Sequence, residues 1–333
     1  MQACVNNCGH GCGHQLIGTG TLASAIALKN FMQKHNLKGT IRYYGCPAEE
    51  NAGGKAFLVR DGYFNDCGLA LCWHPEQGRR ACYGSTKANF RVFFTFHGTP
   101  AHASMCPELG RSALDAVELM DVGVNYMREH MEPTDRIHYA ITDTGGSSPN
   151  VVQNHAEVLY LIRSTDNNKV KRLYERVKNI ARGAALMTET NVEAVFDKAC
   201  SNILSNSILE QLLYDCMKTI PLPSYTEEEL AYAEQMKKTI TDADIASDMS
   251  LMMVHGAEKR RLASLYRELP MANFVVEHQH QDLFLPGSSD VGDCSHATPT
   301  AQFVGACFVP GTPAHSWQMT AQGKEKTAVK GMF

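Results

Sequence analysis

The chain has 333 residues, of which 44% are hydrophobic and 20% are charged, values typical of a globular protein that buries a sizeable core. Its formal net charge is −4 with no long block of one sign, which argues against a nucleic-acid surface and a basic membrane patch. No apolar run approaches the roughly 18 residues of a membrane span, and the first residues lack the basic and apolar regions of a signal peptide.

The 12 cysteines are scattered along the chain, and several lie inside apolar runs such as "LALCWH" and "VGACFV". This spacing is not that of a disulfide framework in a small secreted domain. We therefore expect a cytoplasmic protein whose thiols are mostly small buried hydrophobic groups.

The first part of the chain alternates helical and strand patterns. Leu16–Gln33 is rich in Ala, Leu and Ile and predicts a helix, and Gly54–Gly62 predicts a shorter one. Gly39–Gly45 and Gly68–His74 predict strands, the second almost continuously apolar, as in a strand covered on both faces. The order of strand, helix and strand predicts a mostly parallel central sheet flanked by helices.

The pattern then changes to alternating strands with amphipathic helices between them. Six elements are predicted in the order β-α-β-β-α-β, which is that of a split βαβ (ferredoxin-like) α+β domain. They cover residues 88–96, 111–130, 137–142, 157–163, 168–185 and 191–196.

After residue 205 the chain is again helical, and Thr226 with Glu229 has the spacing of a capping box. The run "AQFVGACFV" predicts a buried strand near the end. The fold class is therefore α/β, with residues 1–85 and 200–333 as a metal-binding catalytic domain and residues 86–199 as an inserted dimerisation or lid domain.

Two short stretches near the start carry residues suited to metal chemistry. Cys12 and His14 lie two apart in "GHGCGH", where they can bind one ion or simply form a helix-entry loop with a buried thiol. Glu49 and Glu50 follow a predicted strand, where one carboxylate can bind metal while the other takes a proton from water. The alternative for the glutamates is a solvated acidic pair.

Two histidines extend this set. His74 ends an apolar strand, where α/β sheets place ligands, although a hydrogen-bonded core histidine fits as well. His315 lies in the Gly/Pro loop "GTPAHSW", where it can also be merely solvated. Taken together, five residues offer N, O and S ligands for two divalent metals: Cys12, His14, Glu50, His74 and His315.

Six motifs along the chain together resemble those of one family. They are "GHGCGHQLIG", "PAEENAGGK", "WHP", "FHGTPAHASMCPELGRSALDA", "SSPNVVQNHAEVLYLIRS" and "GTPAHSWQ". Their order and spacing are similar to those of the co-catalytic metallopeptidases that include aminoacylases, hippurate hydrolases and auxin-conjugate hydrolases, in particular the branch acting on aminobenzoyl-glutamate. The resemblance covers essentially the whole chain.

This resemblance implies roles for the residues of the motifs. Glu49 would be the general base, and the metal ligands would be Cys12, His14, Glu50, His74 and His315. His102 would cross to the partner's active site in a dimer and stabilise the oxyanion, and Asn150 and Arg163 would contact the substrate carboxylate or the oxyanion. Without the resemblance, the last three would be assigned structural roles.

Three departures from the family pattern stand out. Family members carry several dozen residues before the Cys-Gly-His motif, and because this chain has eleven before Cys12 we expect an open sheet edge and exposed apolar surface. Gln15 stands where Asp or Asn is usual, so the surroundings of His14 are expected to differ. The stretch Ser288–His296 ends in His rather than Trp, and its role is left open.

The resulting hypothesis is a metal-dependent amidohydrolase that cleaves an N-acyl amino acid or an aminobenzoyl-glutamate-like substrate. A metal-bridging hydroxide would attack the amide with Glu49 as base, and the two metals would be zinc or manganese, with cobalt or nickel as alternatives. A homodimer is expected, or a hetero-oligomer with a related subunit. The competing hypotheses are a non-catalytic metal-binding subunit and a hydrolase with Cys12 as nucleophile, for which no third orienting group is evident.

Overall fold

The computed structural model describes residues 9–50, 53–82, 84–252, 254–280 and 283–333 of the chain. Both helices predicted in the first part form. In chain order the first elements are helices α1 (His14–Lys34) and α2 (Gly54–Arg60) and strands β1 (Ala70–Glu76), β2 (Arg80–Ala81) and β3 (Ser85–Thr86).

The strand predicted at residues 39–45 is not formed. The segment has no strand partner among the described residues and runs along the surface, most of it exposed. Its side chains contact a neighbouring turn instead: Tyr44 stacks on Phe64 with ring centroids 4.6 Å apart, and Arg42 pairs with Asp66. The prediction was wrong because Tyr and Arg side chains combine long apolar parts with polar tips, which a surface segment accommodates as well as a strand does.

Residues 88–200 follow the order strand, helix, strand, strand, helix, strand. The elements are β4 (Ala88–His97), α3 (Ala113–Met127), β5 (Arg136–Asp143), β6 (His155–Ser164), α4 (Asn167–Thr188) and β7 (Asn191–Cys200). The four strands form one antiparallel sheet in the order β5-β6-β4-β7. Alternate residues of β4, namely Val92, Phe94 and Phe96, are fully buried in an apolar cluster with residues of α3 and α4.

Local sequence explains where the two helices of this region begin. The Ser112 hydroxyl accepts a hydrogen bond from the Asp115 backbone N–H at 3.1 Å, and Asp166 accepts two at the start of α4. The apolar stripe predicted for α3 is buried against the sheet. Its members are Val117, Met120, Val124 and Met127.

The rest of the chain is mainly helical. The elements are α5 (Ser207–Thr219), α6 (Glu227–Lys237), α7 (Asp242–Leu251), α8 (Gly256–Glu268), β8 (Phe284–Leu285), α9 (Val291–Ala297), β9 (Thr300–Ala306), α10 (Trp317–Gln322) and α11 (Lys326–Gly331). The capping box predicted from Thr226 and Glu229 is present at the start of α6. Within the described ranges, no helix is both long and apolar enough to cross a membrane.

The sheet that positions the candidate site has three strands in the described structure, in the order β1-β9-β2. β1 pairs with β9 in parallel, and β2 pairs with β9 in antiparallel orientation. Because β1 and β9 are parallel neighbours, their carboxyl ends lie at the same edge, where α/β folds place their ligands. The loops that follow these two strands therefore start close together.

One edge of this sheet and one face of α1 are uncovered in the described structure. β1 lies at the edge of its sheet, and α1 exposes Leu22, Ile26 and Phe31 to solvent. The overall architecture is mixed α/β. The division into a catalytic domain and an inserted domain at residues 85 and 200 stays a prediction.

Candidate metal centre

The "GHGCGH" loop turns sharply before α1, and glycine is required at its centre. Gly13 has a left-handed backbone with φ of 73°, and a Cβ atom added there would lie 2.6 Å from Pro75 Cγ. The turn brings Cys12 Sγ to 3.4 Å from His74 Nε2. It also brings the ring of His14 edge-on to that of His74, with centroids 5.7 Å apart.

His74, in the last part of β1, is held in one orientation by its own strand. Its Nδ1 lies 2.9 Å from the Pro75 carbonyl oxygen, which favours the tautomer with the proton on Nδ1. Nε2 is then the atom with the free lone pair, and it faces Cys12. This backbone contact is typical of how a protein orients a metal-binding histidine.

Glu49 and Glu50 approach the same point from the turn before α2. The Nε2 atom of His14 lies 4.0 Å from Glu49 Oε2 and 3.8 Å from Glu50 Oε1. The preceding residue, Ala48, has a left-handed φ of 60°, a conformation that costs energy for a residue with a Cβ. The surrounding loop therefore holds the two carboxylates in a strained but defined position.

His315 completes the cluster from the loop after β9. Its Nε2 lies 3.5 Å from Glu50 Oε1, and its backbone N–H donates to the Gly11 carbonyl at 3.0 Å. Its φ is 59°, so it is a second non-glycine residue in the left-handed region beside this cluster. The hydrogen bond ties the C-terminal loop directly to the "GHGCGH" loop.

These side chains form three overlapping sets of three residues. Within each set, the ligand atoms all lie within 4.8 Å of one another. All five residues predicted as ligands belong to them, together with Glu49. The sets are Cys12, His14 and His74; Cys12, Glu50 and His315; and His14, Glu49 and Glu50.

The chemistry of this donor set fits divalent metal ions. Burial, followed by the charges of Glu50 and Glu49, raises the pKa of the Cys12 thiol, and burial followed by His74 lowers the pKa of His14. The lowered pKa of His14 favours the neutral imidazole, which is the form that binds metals. A metal cation at this point would offset the electrostatic cost of ionising the Cys12 thiol beside two carboxylates. The side chains of Glu49 and Glu50 are 25% and 31% exposed, so the centre remains open to a small molecule.

Two predicted site residues lie elsewhere, in a pair of adjoining segments of the inserted region. His102 is exposed and bridges to Val151, and the Ala103 N–H donates to the Asn150 carbonyl at 3.0 Å. Among the described residues, no hydrogen bond or ion pair joins His102 or Asn150 to the cluster. Their functional roles stay predictions.

The third, Arg163, is linked to the cluster through residues whose role the sequence left open. Its Nη1 donates to Ser288 Oγ at 3.0 Å, and the next residue, Ser289, donates from Oγ to Glu49 Oε1 at 2.9 Å. Asp290 is fully buried and accepts bonds from Lys55 N at 2.9 Å and Lys55 Nζ at 2.7 Å. The start of the Ser288–His296 stretch thus supports both the glutamates and the arginine.

Two other residues singled out in the sequence contact backbone carbonyls outside the cluster. His296 Nε2 contacts the Asn202 carbonyl at 3.0 Å, and the Gln15 amide donates to the Gly323 carbonyl at 3.0 Å. Both contacts tie neighbouring loops and helices together.

The chain is similar in sequence to a known family of peptidases and to several hydrolases. The family model described as peptidase family M20/M25/M40 matches residues 3–319. The chain is 47% identical over 326 residues to the B subunit of the p-aminobenzoyl-glutamate hydrolase of Escherichia coli (strain K12), covering 98% of this chain and 68% of that protein. It is 32% identical over 187 residues to the Xaa-Arg dipeptidase of Mus musculus, covering 56% of this chain and 43% of the dipeptidase.

Solved structures show the same fold. A putative aminohydrolase from methicillin-resistant Staphylococcus aureus matches with a TM-score of 0.54 at 14% identity, covering 97% of this chain and 72% of that one. The YXEP protein of Bacillus subtilis, described as a dinuclear metal-binding peptidase, matches with a TM-score of 0.51 at 14% identity and the same coverage.

The family match and the hydrolase relatives confirm the resemblance carried by the motifs. They also confirm, at the level of the family, the predicted class of metal-dependent hydrolases that act on amide bonds. The chain belongs to peptidase family M20/M25/M40.

Proposed function

We propose that the chain cleaves the amide bond of an N-acyl amino acid or an aminobenzoyl-glutamate-like substrate. The observation that carries this proposal is the convergence of thiol, imidazole and carboxylate groups within 4.8 Å at the carboxyl edge of β1 and β9. The substrate class is supported by the name of the relative at 47% identity, which is one subunit of a p-aminobenzoyl-glutamate hydrolase.

The cluster is suited to two divalent metal ions, with zinc or manganese favoured and cobalt or nickel as alternatives. The proposed ligands are Cys12, His14, Glu50, His74 and His315. Ions bound there would supply Lewis-acid chemistry, polarising the amide carbonyl and acidifying water. The mixed donor set, with one thiol among imidazoles and carboxylates, is the basis for naming zinc first.

Glu49 is the proposed general base. It belongs to one of the three ligand sets, yet its Oε1 is already engaged by Ser289, which fixes the carboxylate and leaves Oε2 toward the centre. A carboxylate held in this way takes the proton from the attacking water and delivers it to the leaving amine. Glu50 differs because its Oε1 lies near both His14 and His315, as expected of a ligand.

The inserted region, residues 86–199, is proposed to supply the remaining contacts. Arg163 binds the substrate carboxylate, Asn150 assists in holding the carbonyl or carboxylate oxygen, and the partner subunit's His102 stabilises the oxyanion. This assignment requires a dimer. A hetero-oligomer is the alternative assembly, since the relative is named as one of the subunits of its hydrolase. We further propose that the protein acts in the cytoplasm.

A second candidate function is a metal-binding subunit without turnover, favoured by the name of the relative as one subunit of an enzyme and by the open edge of β1. The third hypothesis, Cys12 as a nucleophile, is disfavoured. A nucleophilic cysteine needs a lowered pKa, whereas burial raises the pKa of this thiol.

The test is metal analysis combined with a substrate panel. The purified chain is assayed for bound metals and for hydrolysis of N-acyl amino acids and aminobenzoyl-glutamate, before and after chelation and after adding back zinc or manganese. We expect about two metals per chain, loss of activity on chelation and recovery on reloading. Metal binding without hydrolysis of any substrate would favour the non-catalytic subunit, and activity that survives complete metal removal would favour a cysteine nucleophile.

A further inference from the structure

Two arginines lie directly opposite each other on neighbouring strands of the inserted region. Arg136 of β5 pairs in register with Arg163 of β6. Their neighbours Ile137 and Ile162 are buried on the helix-covered face, so both arginines lie on the opposite face of the sheet. Like charges directly opposite one another destabilise a sheet.

Neither arginine has a carboxylate partner among the described residues. Arg136 Nη1 donates to the backbone carbonyls of Pro133 and Asp135, both at 2.6 Å. Arg163 donates to Ser288 Oγ, while its Nε is buried without a hydrogen bond. The Nε of Arg163 is therefore a buried donor that no described residue satisfies. Such a donor is costly unless a ligand or a water molecule accepts its hydrogen bond.

A third cation adds to this positive region. Lys87 is buried, and its Nζ donates to the Thr134 carbonyl. Burial, followed by the charge of Arg136, lowers the pKa of Lys87. The negative charge of Asp135 raises the pKa of Lys87 and so partly opposes these effects. The two oxygens of Asp135 already accept hydrogen bonds from the Ser164 hydroxyl at 2.7 Å and the Glu132 N–H at 3.2 Å.

Three consecutive residues connect this cationic cluster, Lys87, Arg136 and Arg163, to the candidate general base. The Gly287 carbonyl accepts from the Lys87 backbone N–H at 2.9 Å, Ser288 accepts from Arg163, and Ser289 donates to Glu49. Residues 287–289 therefore contact both the cationic cluster and Glu49, which places the cluster on the side of the candidate site that carries the general base.

We propose that Arg136, supported by Lys87, binds a second carboxylate of the substrate beside the one bound by Arg163, so that the chain prefers N-acyl derivatives of acidic amino acids. The planar guanidinium group is suited to binding a carboxylate through two parallel hydrogen bonds. This inference rests on the proposed function, because it assigns Arg163 to the first carboxylate. Arg136 is thereby a specificity-determining residue.

The test compares N-benzoyl-glutamate with N-benzoyl-glutamine, which has nearly the same shape but a neutral side chain. We expect the metal-loaded chain to have a kcat/KM about tenfold to a hundredfold higher for the glutamate compound, the range expected for hydrogen bonds between charged groups. Arg136→Gln should remove most of this preference, mainly through KM, and leave the glutamine compound almost unaffected. Arg172→Gln, which removes an exposed positive charge on α4, is the matched control and should keep the preference.

A binding measurement separates this inference from the proposed function. N-benzoyl-glutamate and N-benzoyl-glutamine are each titrated calorimetrically into the Glu49→Gln variant, with and without Arg136→Gln. The titrations measure how the cationic cluster contributes to binding without any turnover. Preferential binding that is lost with Arg136→Gln supports the cluster even if no hydrolysis occurs. Equal weakening of both compounds, no preference in the wild type, or no binding of either compound would overturn the inference. Arg136→Lys and a urea unfolding curve show whether any loss comes from charge or from folding.

Discussion

The Ser289 hydroxyl donates a 2.9 Å hydrogen bond to Glu49 Oε1, although 240 positions of sequence separate the two residues. The bond engages one oxygen of the proposed base and leaves the other near His14. The next residue, Asp290, holds Lys55 of α2, the helix that follows the two glutamates. One short segment therefore fixes both the base and the turn that carries it.

Ser289→Ala should lower kcat about tenfold to a hundredfold with little change in KM, because residues that orient active-site groups typically contribute this much. Ser289→Thr keeps the hydroxyl and should restore most of the rate. The measurement is steady-state kinetics on the best substrate of the panel. The matched control is Ser264→Ala, which removes a 2.7 Å bond from serine to Glu268 on the exposed surface of α8. Unchanged kcat in Ser289→Ala would show that Glu49 does not need this support.

Glu49→Gln should keep the metal content and lower turnover by about a hundredfold or more, because it retains the shape of the side chain and removes the proton acceptor. Metal analysis and kinetics on the same preparation check both parts. Glu50→Gln is the matched variant and should lose metal. The opposite pattern, with metal lost in Glu49→Gln and kept in Glu50→Gln, would mean that the two roles are exchanged.

Cys12→Ser should weaken the binding of at least one metal and shift preference away from zinc, because it replaces a soft thiolate with a poor neutral ligand. Competition with a zinc chelator, repeated with manganese, measures the change. Cys216→Ser, which alters an exposed cysteine on α5, is the control and should bind metal as the wild type does. Full metal content and unchanged selectivity in Cys12→Ser would remove Cys12 from the ligand set.

Mixing two inactive variants should restore part of the activity if His102 acts in the partner subunit. In a mixed dimer of His102→Ala and Glu49→Gln chains, the Glu49→Gln chain supplies an intact His102 to the site that retains Glu49. Each single variant should lose activity, by about a hundredfold to a thousandfold for a missing oxyanion donor. If activity does not return although subunit exchange is demonstrated, His102 acts within its own chain or has no role in the reaction.

We expect Asp121 on α3 to make the free energy of unfolding depend on pH. Burial, together with Glu118, raises its pKa to about 6, against the opposing effect of the hydrogen bond from Tyr160. The folded state therefore holds this proton more tightly than the unfolded state does, so the free energy of unfolding should fall as pH rises from about 4 to about 6. Asp121→Asn cannot titrate and should reduce this fall.

Urea unfolding at several pH values between about 4 and 7 measures the effect of Asp121. Asp115→Asn, at an exposed position on the same helix, should leave the pH dependence as it is in the wild type. An identical dependence in Asp121→Asn and the wild type would show that the carboxyl group is ionised equally easily in the folded and unfolded states.

Elements with a strong apolar period could be predicted from the sequence. Helices α3 and α4 form where their patterns place them, because one face of each segment carries the apolar residues that the core buries. Helix α1 also forms where its content of Ala, Leu and Ile predicts it, although most of its apolar side chains are exposed. The pattern of residues 39–45 does not distinguish a strand from an extended segment on the surface. Its tyrosines satisfy a strand pattern, but a strand forms only where another backbone is available to pair with it.

The sequence by itself determined the chemical inventory of the candidate site, since Cys12, His14, Glu49, Glu50 and the two histidines stand in motifs whose glycines and prolines dictate local turns. Only the tertiary structure decided that these residues meet within one cluster, that Ser289 engages Glu49, and that Arg136 faces Arg163. The physical reason is that hydrogen bonds and electrostatic interactions act over a few ångströms of space. Partners far apart in the chain leave no periodic signal in it.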